Sequence, residues 1–187
     1  MTHFTSLADH FLIAMPALQD PFFGQSLVYL FEHTPEGAMG LVVNQPTELS
    51  LADVLAQLHP ETEPAGHTGD IPVYAGGPVQ TERGFVMHPP GQRYQSTVDL
   101  GALSITNSQD ILDAIATGNG PGQYLIALGY AGWGAGQLED ELRGNTWLSC
   151  PASHTIIFDT PATDRRSAAA ASLGIQLSQL SHLAGNA

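Results

Sequence analysis

The chain has 187 residues, 43% of them apolar and only 12% charged, and eighteen acids against five arginines with no lysine leave a net charge of −13. That length suits one domain, 1–187, with a full core. The charge disfavours direct nucleic-acid binding and attachment to anionic lipid, because Arg83, Arg93, Arg143, Arg165 and Arg166 are scattered rather than gathered into a phosphate-neutralising stripe.

In chain order, Phe11–Met15 is an apolar run stopped by Pro16, Ser26–Phe31 is rich in β-formers, and Ala38–Val43 follows the turn signal Thr34-Pro-Glu-Gly37. Three strands open the protein, the last two as a hairpin. Ser50 stands three residues before Asp53 in a capping-box arrangement, and Leu51, Val54, Leu55 and Leu58 share one helical face, so a helix ends near Pro60. Residues 61–70 read as an exposed loop. Short strands are expected at Val73–Ala75, Gly84–Met87 and Tyr94–Val98, separated by Gly76-Gly77-Pro78 and Pro89-Pro90-Gly91. Asn107 and Asp110 are expected to cap a second helix that buries Ile111, Leu112 and Ile115 and stops at Gly118.

Tyr124–Gly129 is almost continuously apolar, as in a strand buried on both faces. Gly129, Gly132, Gly134 and Gly136 then surround Trp133, where the strand is expected to hand over to a short helix with Leu138 and Leu142 inward, a Glu139–Arg143 pair, and Gly144 at its end. Trp147–Ser149 and Ile156–Phe158 are strand candidates. Pro161 opens an Ala-rich helix to Leu173, Gly174 stops it, and Leu177, Leu180 and Leu183 suggest a last amphipathic segment. The short strands do not alternate regularly with helices, which fits α/β or α+β.

Met1–Ala8 lacks a basic region followed by an apolar core, and Tyr124–Trp133 is too short and Gly-rich to span a bilayer. With Cys150 as the single cysteine there is no internal disulfide or multi-thiolate site, and the chain reads as cytoplasmic. The glycine run lacks a Gly-Lys-Ser/Thr ending and Gly-x-Gly-x-x-Gly, and Glu139, Asp140 and Glu141 would repel a phosphate from its helix. Neither a metal motif nor Gly-x-Ser-x-Gly is present, so no metal, cofactor or catalytic residue is expected from motifs alone.

Four stretches together resemble the bacterial YqgE/AlgH family: Phe11-Leu-Ile-Ala-Met-Pro16 with Asp20-Pro21; Tyr29–His33 into Gly37–Pro46; Gly76-Gly-Pro-Val79 with Arg83–His88; and Leu128–Trp133 through Gly136–Glu139 to Trp147-Leu148. The resemblance implies a single compact α+β domain in which a mixed sheet with a small closed barrel-like part is surrounded by helices. The family is named for regulation of alginate synthesis, and its members are described as transcriptional regulators. Here no helix-turn-helix carries a basic recognition helix, so regulation would run through protein or metabolite contacts.

Two functional readings follow. The first is a non-enzymatic binding or regulatory protein that meets a protein partner or a small neutral metabolite through Asn44, Gly76, Gly77, Tyr130, Trp133, Gln137 and Glu139; an exposed Trp133 would anchor it, whereas a Trp133 that is the packing anchor of a tight structural turn would not. The second is a hydrolase-like enzyme whose pocket holds Glu32, His33, Arg83 and His88, which requires at least two of them within hydrogen-bond reach in one cleft. Against both stands the simpler possibility that these polar groups satisfy loop amides and carbonyls at strand ends. Cys150 would become reactive if it met His154; otherwise it is a small core residue.

Overall fold

In the computed structural model, which describes residues 3–61, 63 and 66–184, the expected N-terminal hairpin forms and seeds a curled sheet. The elements are β1 His10–Ala14, β2 Leu27–Thr34, β3 Gly37–Val42, β4 Pro46–Ser50, α1 Leu51–Leu58, β5 Pro72–Ala75, β6 Val79–His88, β7 Thr97–Asp99 and β8 Ser104–Thr106. They continue as α2 Gln109–Ala116, β9 Leu125–Gly134, α3 Gln137–Arg143, β10 Trp147–Pro151, α4 His154–Phe158, α5 Arg165–Ser172 and α6 Leu177–Ala184. Thr62, Pro64 and Ala65 of the expected 61–70 loop, and the side chain of Leu183, lie outside the described residues. Within that loop Gly66–Asp70 forms a short 3-10 helix.

The strand order is β10-β1-β2-β3-β9-β6-β8-β7, with β5 paired to β9 and β4 paired to β5. Every pairing is antiparallel except β5 with β9. This is a single α+β domain built on a half-barrel, which corrects the closed barrel-like part implied by the resemblance. Besides the shared apolar core, a carboxylate ties the two flanks: Asp9 Oδ1 accepts the Tyr29 hydroxyl at 2.7 Å and its Oδ2 accepts the Ala102 backbone N–H at 3.0 Å. The β1–β2 flank is thereby clasped to the β7–β8 turn.

Apolar side chains form three cores. Phe11, Ile13, Tyr29, Leu41, Phe85 and Met87 belong to the first, where α5 adds Ala169 and Ala170; Trp133, Trp147, Leu12 and Leu138 pack in the second; and α1 and α2 bury Leu51, Leu55, Ile111 and Ile115 with Val86 and Ile126 in the third. The capping box of α1 is present as read, Ser50 and Asp53 exchanging side-chain and backbone bonds. The α2 N-cap is Ser108 rather than Asn107, and Asp110 accepts from its hydroxyl and from the Gln95 N–H.

Other expectations are corrected. Ile156–Phe158 lies in helix α4: only Ile157 is fully buried there, and a run flanked by Pro151 and Pro161 closes one helical turn instead of joining the sheet. Arg143 pairs with Asp140 at 3.2 Å, not with Glu139, whose carboxylate is taken by His33. The β4 and β8 strands were not expected from pattern. Most consequentially, the glycine run does not end the strand at Gly129; β9 continues to Gly134 and pairs with β3 through Gly37↔Gly134 and Gly40↔Ala131.

The reason lies in how β5 and β6 meet β9. They flank it on opposite sides, so the Gly76-Gly77-Pro78 link must pass over its backbone. A Cβ on Gly77 would lie 1.9 Å from the Tyr130 carbonyl carbon, and one on Gly76 would lie 2.4 Å from the Gly129 oxygen. Gly129, at φ +78°, completes the crossing from below. Gly76-Gly77 and Gly129 are thus two halves of one backbone-on-backbone contact.

Candidate functional site

At the mouth of the half-barrel lies a groove of about 590 Å³, floored by Phe31, Met39, Phe85, Leu100 and Ile105 and rimmed by Glu32, Arg83 and Val98. Three strand features build it. In β2 a bulge between Leu30 and Glu32 inserts one residue, so Glu32 comes to face Met39 and shares a side with Phe31. In β6, Arg83 and Phe85 stand two apart on one face, and the guanidinium lies 5.1 Å from the Phe85 ring centroid. On the short edge strand β7, Val98 is 56% exposed. Neither Glu32 nor Arg83 has an ion-pair partner among the described residues.

The same bulge sends His33 away from the groove. Buried against Phe4, it accepts the Leu7 backbone N–H on Nδ1 at 2.8 Å, so its proton sits on Nε2 and is donated to Glu139 Oε1 at 2.7 Å. Both ring nitrogens are engaged, which leaves no free base. Burial alone would push the Glu139 carboxyl up, but the His33 hydrogen bond, the backbone N–H in the first turn of α3 and the Arg143 charge together hold it below the ordinary carboxylate range. Its ionised form therefore stabilises the fold above the unfolded-state titration range, and that contribution is lost as pH falls through the folded value. Glu139→Gln is expected to lower the melting temperature at pH 7, by the equivalent of roughly 0.5–1 kcal/mol for a partly exposed pair. The gap to the parent should narrow in melting curves as pH falls through and below the ordinary carboxylate range; a gap independent of pH would show that the charge contributes nothing.

His88 is fully buried on the opposite face of β6 from Arg83. Its hydrogen bonds have one consistent direction: the Tyr94 N–H donates to Thr97 Oγ1, that hydroxyl to Thr106 Oγ1, and the Thr106 hydroxyl to His88 Nε2, while Nδ1–H donates to the Pro89 carbonyl at 2.9 Å. Desolvation lowers the His88 pKa in spite of that carbonyl. Thus Glu32 and Arg83 share the groove without bonding to each other, and His33 and His88 lie outside it. The hydrogen-bonded cleft required for the hydrolase-like reading is not assembled.

The partner candidates also take definite places. Asn44 accepts the Leu27 N–H and donates to the Gln25 carbonyl; Gln137 Oε1 caps the Gly134 N–H; Gly76 and Gly77 serve the crossing; Tyr130 packs edge-on to Phe85. Trp133 is only 7% exposed, packed tilted against Phe23 and edge-on to Trp147 in the second core. Trp133 is thus the packing anchor and not an exposed interface anchor, and it borders only a shallow depression beside Glu32 and Met39. Cys150 is buried, and desolvation raises its pKa despite the Ser172 hydroxyl, the behaviour of a core thiol. Among the described residues no group of three or more His, Cys, Asp or Glu is placed to hold a metal ion, and no helix is long and apolar enough to cross a membrane.

Comparison with known proteins fits this architecture. The AlgH-like family model matches residues 11–178. The chain belongs to the AlgH-like family. UPF0301 protein AlgH of Pseudomonas aeruginosa is 57% identical over 183 residues, covering 98% of this chain and 97% of that protein, and a UPF0301 protein of Stutzerimonas stutzeri is 58% identical over 181 residues, covering 97% and 96%. The solution structure of Pseudomonas aeruginosa AlgH superposes with a TM-score of 0.82 at 56% identity, covering 97% of this chain and 96% of that one. A crystal structure of a Corynebacterium diphtheriae protein, 18% identical, shares the fold at a TM-score of 0.75 over 96% of this chain and 94% of its own. In this AlgH-like chain the groove residues Phe31, Met39, Val98, Leu100 and Ile105 are apolar and belong to no chemical motif that would mark them in the sequence. Their one visible signal was Val98, an apolar residue between Thr97 and Asp99 in a polar stretch.

Proposed function

We propose that this protein is a non-catalytic regulatory binding protein whose groove grips a segment of a partner protein, one with aliphatic or aromatic anchors and flanking Arg or Lys. The carrying observation is the groove itself: an apolar floor open to solvent at the mouth of a rigid sheet, with Glu32 unpaired on its rim. The −13 net charge favours a basic partner surface over nucleic acid, and any effect on transcription would then proceed without direct DNA contact.

Selection of a random-peptide display library on the full chain tests this. Enriched peptides should combine an apolar anchor with basic residues, and their affinity should fall by about tenfold or more with Met39→Glu or Val98→Glu. Acidic peptides, no enrichment, or binding untouched by both substitutions would sink the reading. Tight binding of a small neutral compound that both substitutions abolish would replace the peptide with a metabolite.

A further inference from the structure

Two of the five arginines are drawn into the fold without a carboxylate. Arg166 is spent as a latch, since its Nε and Nη2 both donate to the Ala14 carbonyl, at 3.0 and 2.5 Å. Arg165, the first residue of α5, is different. It is 7% exposed, and its Nε donates to the Thr160 carbonyl at 3.0 Å and its Nη1 to the Val43 carbonyl at 2.6 Å. Its guanidinium carbon lies 5.1 Å from the Tyr74 ring centroid. All of these partners are neutral, and Nη2 makes no hydrogen bond among the described residues. A buried cation held this way is fixed in place but not neutralised.

Arg165 lines a cavity of about 350 Å³ distinct from the groove, together with Tyr74, Tyr124, Ile71, Leu125 and Phe158. The hydroxyls of Tyr74 and Tyr124 have no hydrogen-bond partner among the described residues either. No acidic side chain lines the cavity; Asp159, close in sequence to Phe158, is engaged by the Gln123 amide at 3.0 Å. Three residues with a donor that no described residue engages, one of them cationic, therefore line a space whose remaining walls are largely apolar.

We infer that this cavity is a binding site for a small organic carboxylate with an apolar body. The carboxylate would accept from Arg165 Nη2 and the tyrosine hydroxyls, a charge-assisted arrangement suited to a planar anion, and the body would lie against Ile71, Leu125 and Phe158. At the ~30 Å³ a water takes in the liquid, the volume accommodates about a dozen non-hydrogen atoms, the scale of a small metabolite rather than a nucleotide. A compact dianion such as phosphate is poorly served, since it has no second cation here and faces the field of a strongly acidic chain.

Titration of the ¹⁵N-labelled full chain with sodium benzoate decides the matter. Saturable amide shifts are expected around residues 122–125 and 165, with none from benzamide, which has the same shape without the charge. Tyr124→Phe should weaken benzoate about tenfold while leaving the melting temperature unchanged, because it removes a hydroxyl that bonds to no described residue. Arg165→Lys should abolish binding. Absence of saturable shifts, equal binding of benzamide, equal or tighter binding of inorganic phosphate, or a Tyr124→Phe variant that binds as the parent does would each overturn the assignment. None of these outcomes bears on the groove, whose variants lie elsewhere.

Discussion

Gly77→Ala is expected to abolish stable folding. The added methyl would stand 1.9 Å from the Tyr130 carbonyl carbon, 2.1 Å from its oxygen and 2.3 Å from the Ala131 nitrogen, all backbone atoms of the central strand. Side chains can rotate out of a clash, whereas these atoms are pinned. Gly76 donates to the Leu128 carbonyl and accepts from the Val42 N–H, both at 2.8 Å, so moving the crossing breaks the pairing of β5 and β3 around β9. Ordinary overpacking costs about 1–3 kcal/mol. Here the obstacle is the sheet itself, and a loss of about 4 kcal/mol or more is expected, a large fraction of a typical domain's stability. Soluble expression and thermal unfolding provide the measurement, with Gly69→Ala as control because nothing lies within 4 Å of its Cβ position. A soluble Gly77→Ala protein melting within a few degrees of the parent would show that the crossing is not tight.

The second large effect is expected at Asp9. Its carboxylate is the clasp of the half-barrel, and Asp9→Ala removes the acceptor from two donors, one of them the hydroxyl of the fully buried Tyr29. Stranding buried donors costs about 1–3 kcal/mol each. The backbone adds to this, because Asp9 sits at φ +63°, a conformation Asp tolerates better than Ala. Asp9→Ala should therefore lose roughly 3–5 kcal/mol. Adding Tyr29→Phe should recover part of that loss, since the stranded hydroxyl disappears with it, and a double-mutant cycle on urea unfolding measures the coupling. A coupling near zero would mean that the clasp does not hold the flanks together. Burial, the hydrogen bond to Asp9 and its charge all raise the Tyr29 pKa, so the phenol remains the donor throughout the neutral range.

Local signals in the sequence were read well where the rule is local. The capping box at Ser50, the hairpin at Thr34–Gly37, and the stops at Gly118 and Gly174, both at positive φ, were all legible in the residues. Failures came where a long-range contact overrides periodicity. The glycines of β9 looked like a strand breaking up, whereas Gly129 is required by Gly77, some fifty residues away, and Gly132 and Gly134 would each admit a Cβ. Glu32 and His33 looked like neighbours in one pocket, yet consecutive strand residues face opposite sides, and the bulge between Leu30 and Glu32 decides which of the two takes the groove side. The separation of Arg83 from His88 was legible after all: five residues apart on one strand, they must face opposite sides. Arg165 gave no sign of its burial, because an Arg-Arg pair opening an Ala-rich helix is ordinarily a solvated end.

The neighbour of β1 on its outer side is β10, which the ribosome makes far later. Between the release of Ala14 and of Pro151, at about 5–20 residues per second, the nascent chain spends on the order of ten seconds with Phe11, Leu12 and Ile13 on an unpaired edge. The central strand β9, which gives β3, β5 and β6 their shared partner, is also late. Little of the sheet can close during translation, so the molecule folds essentially after synthesis and at the pace of its non-local pairings. In an overexpressing cell, the unpaired edge of β1 is where aggregation would begin.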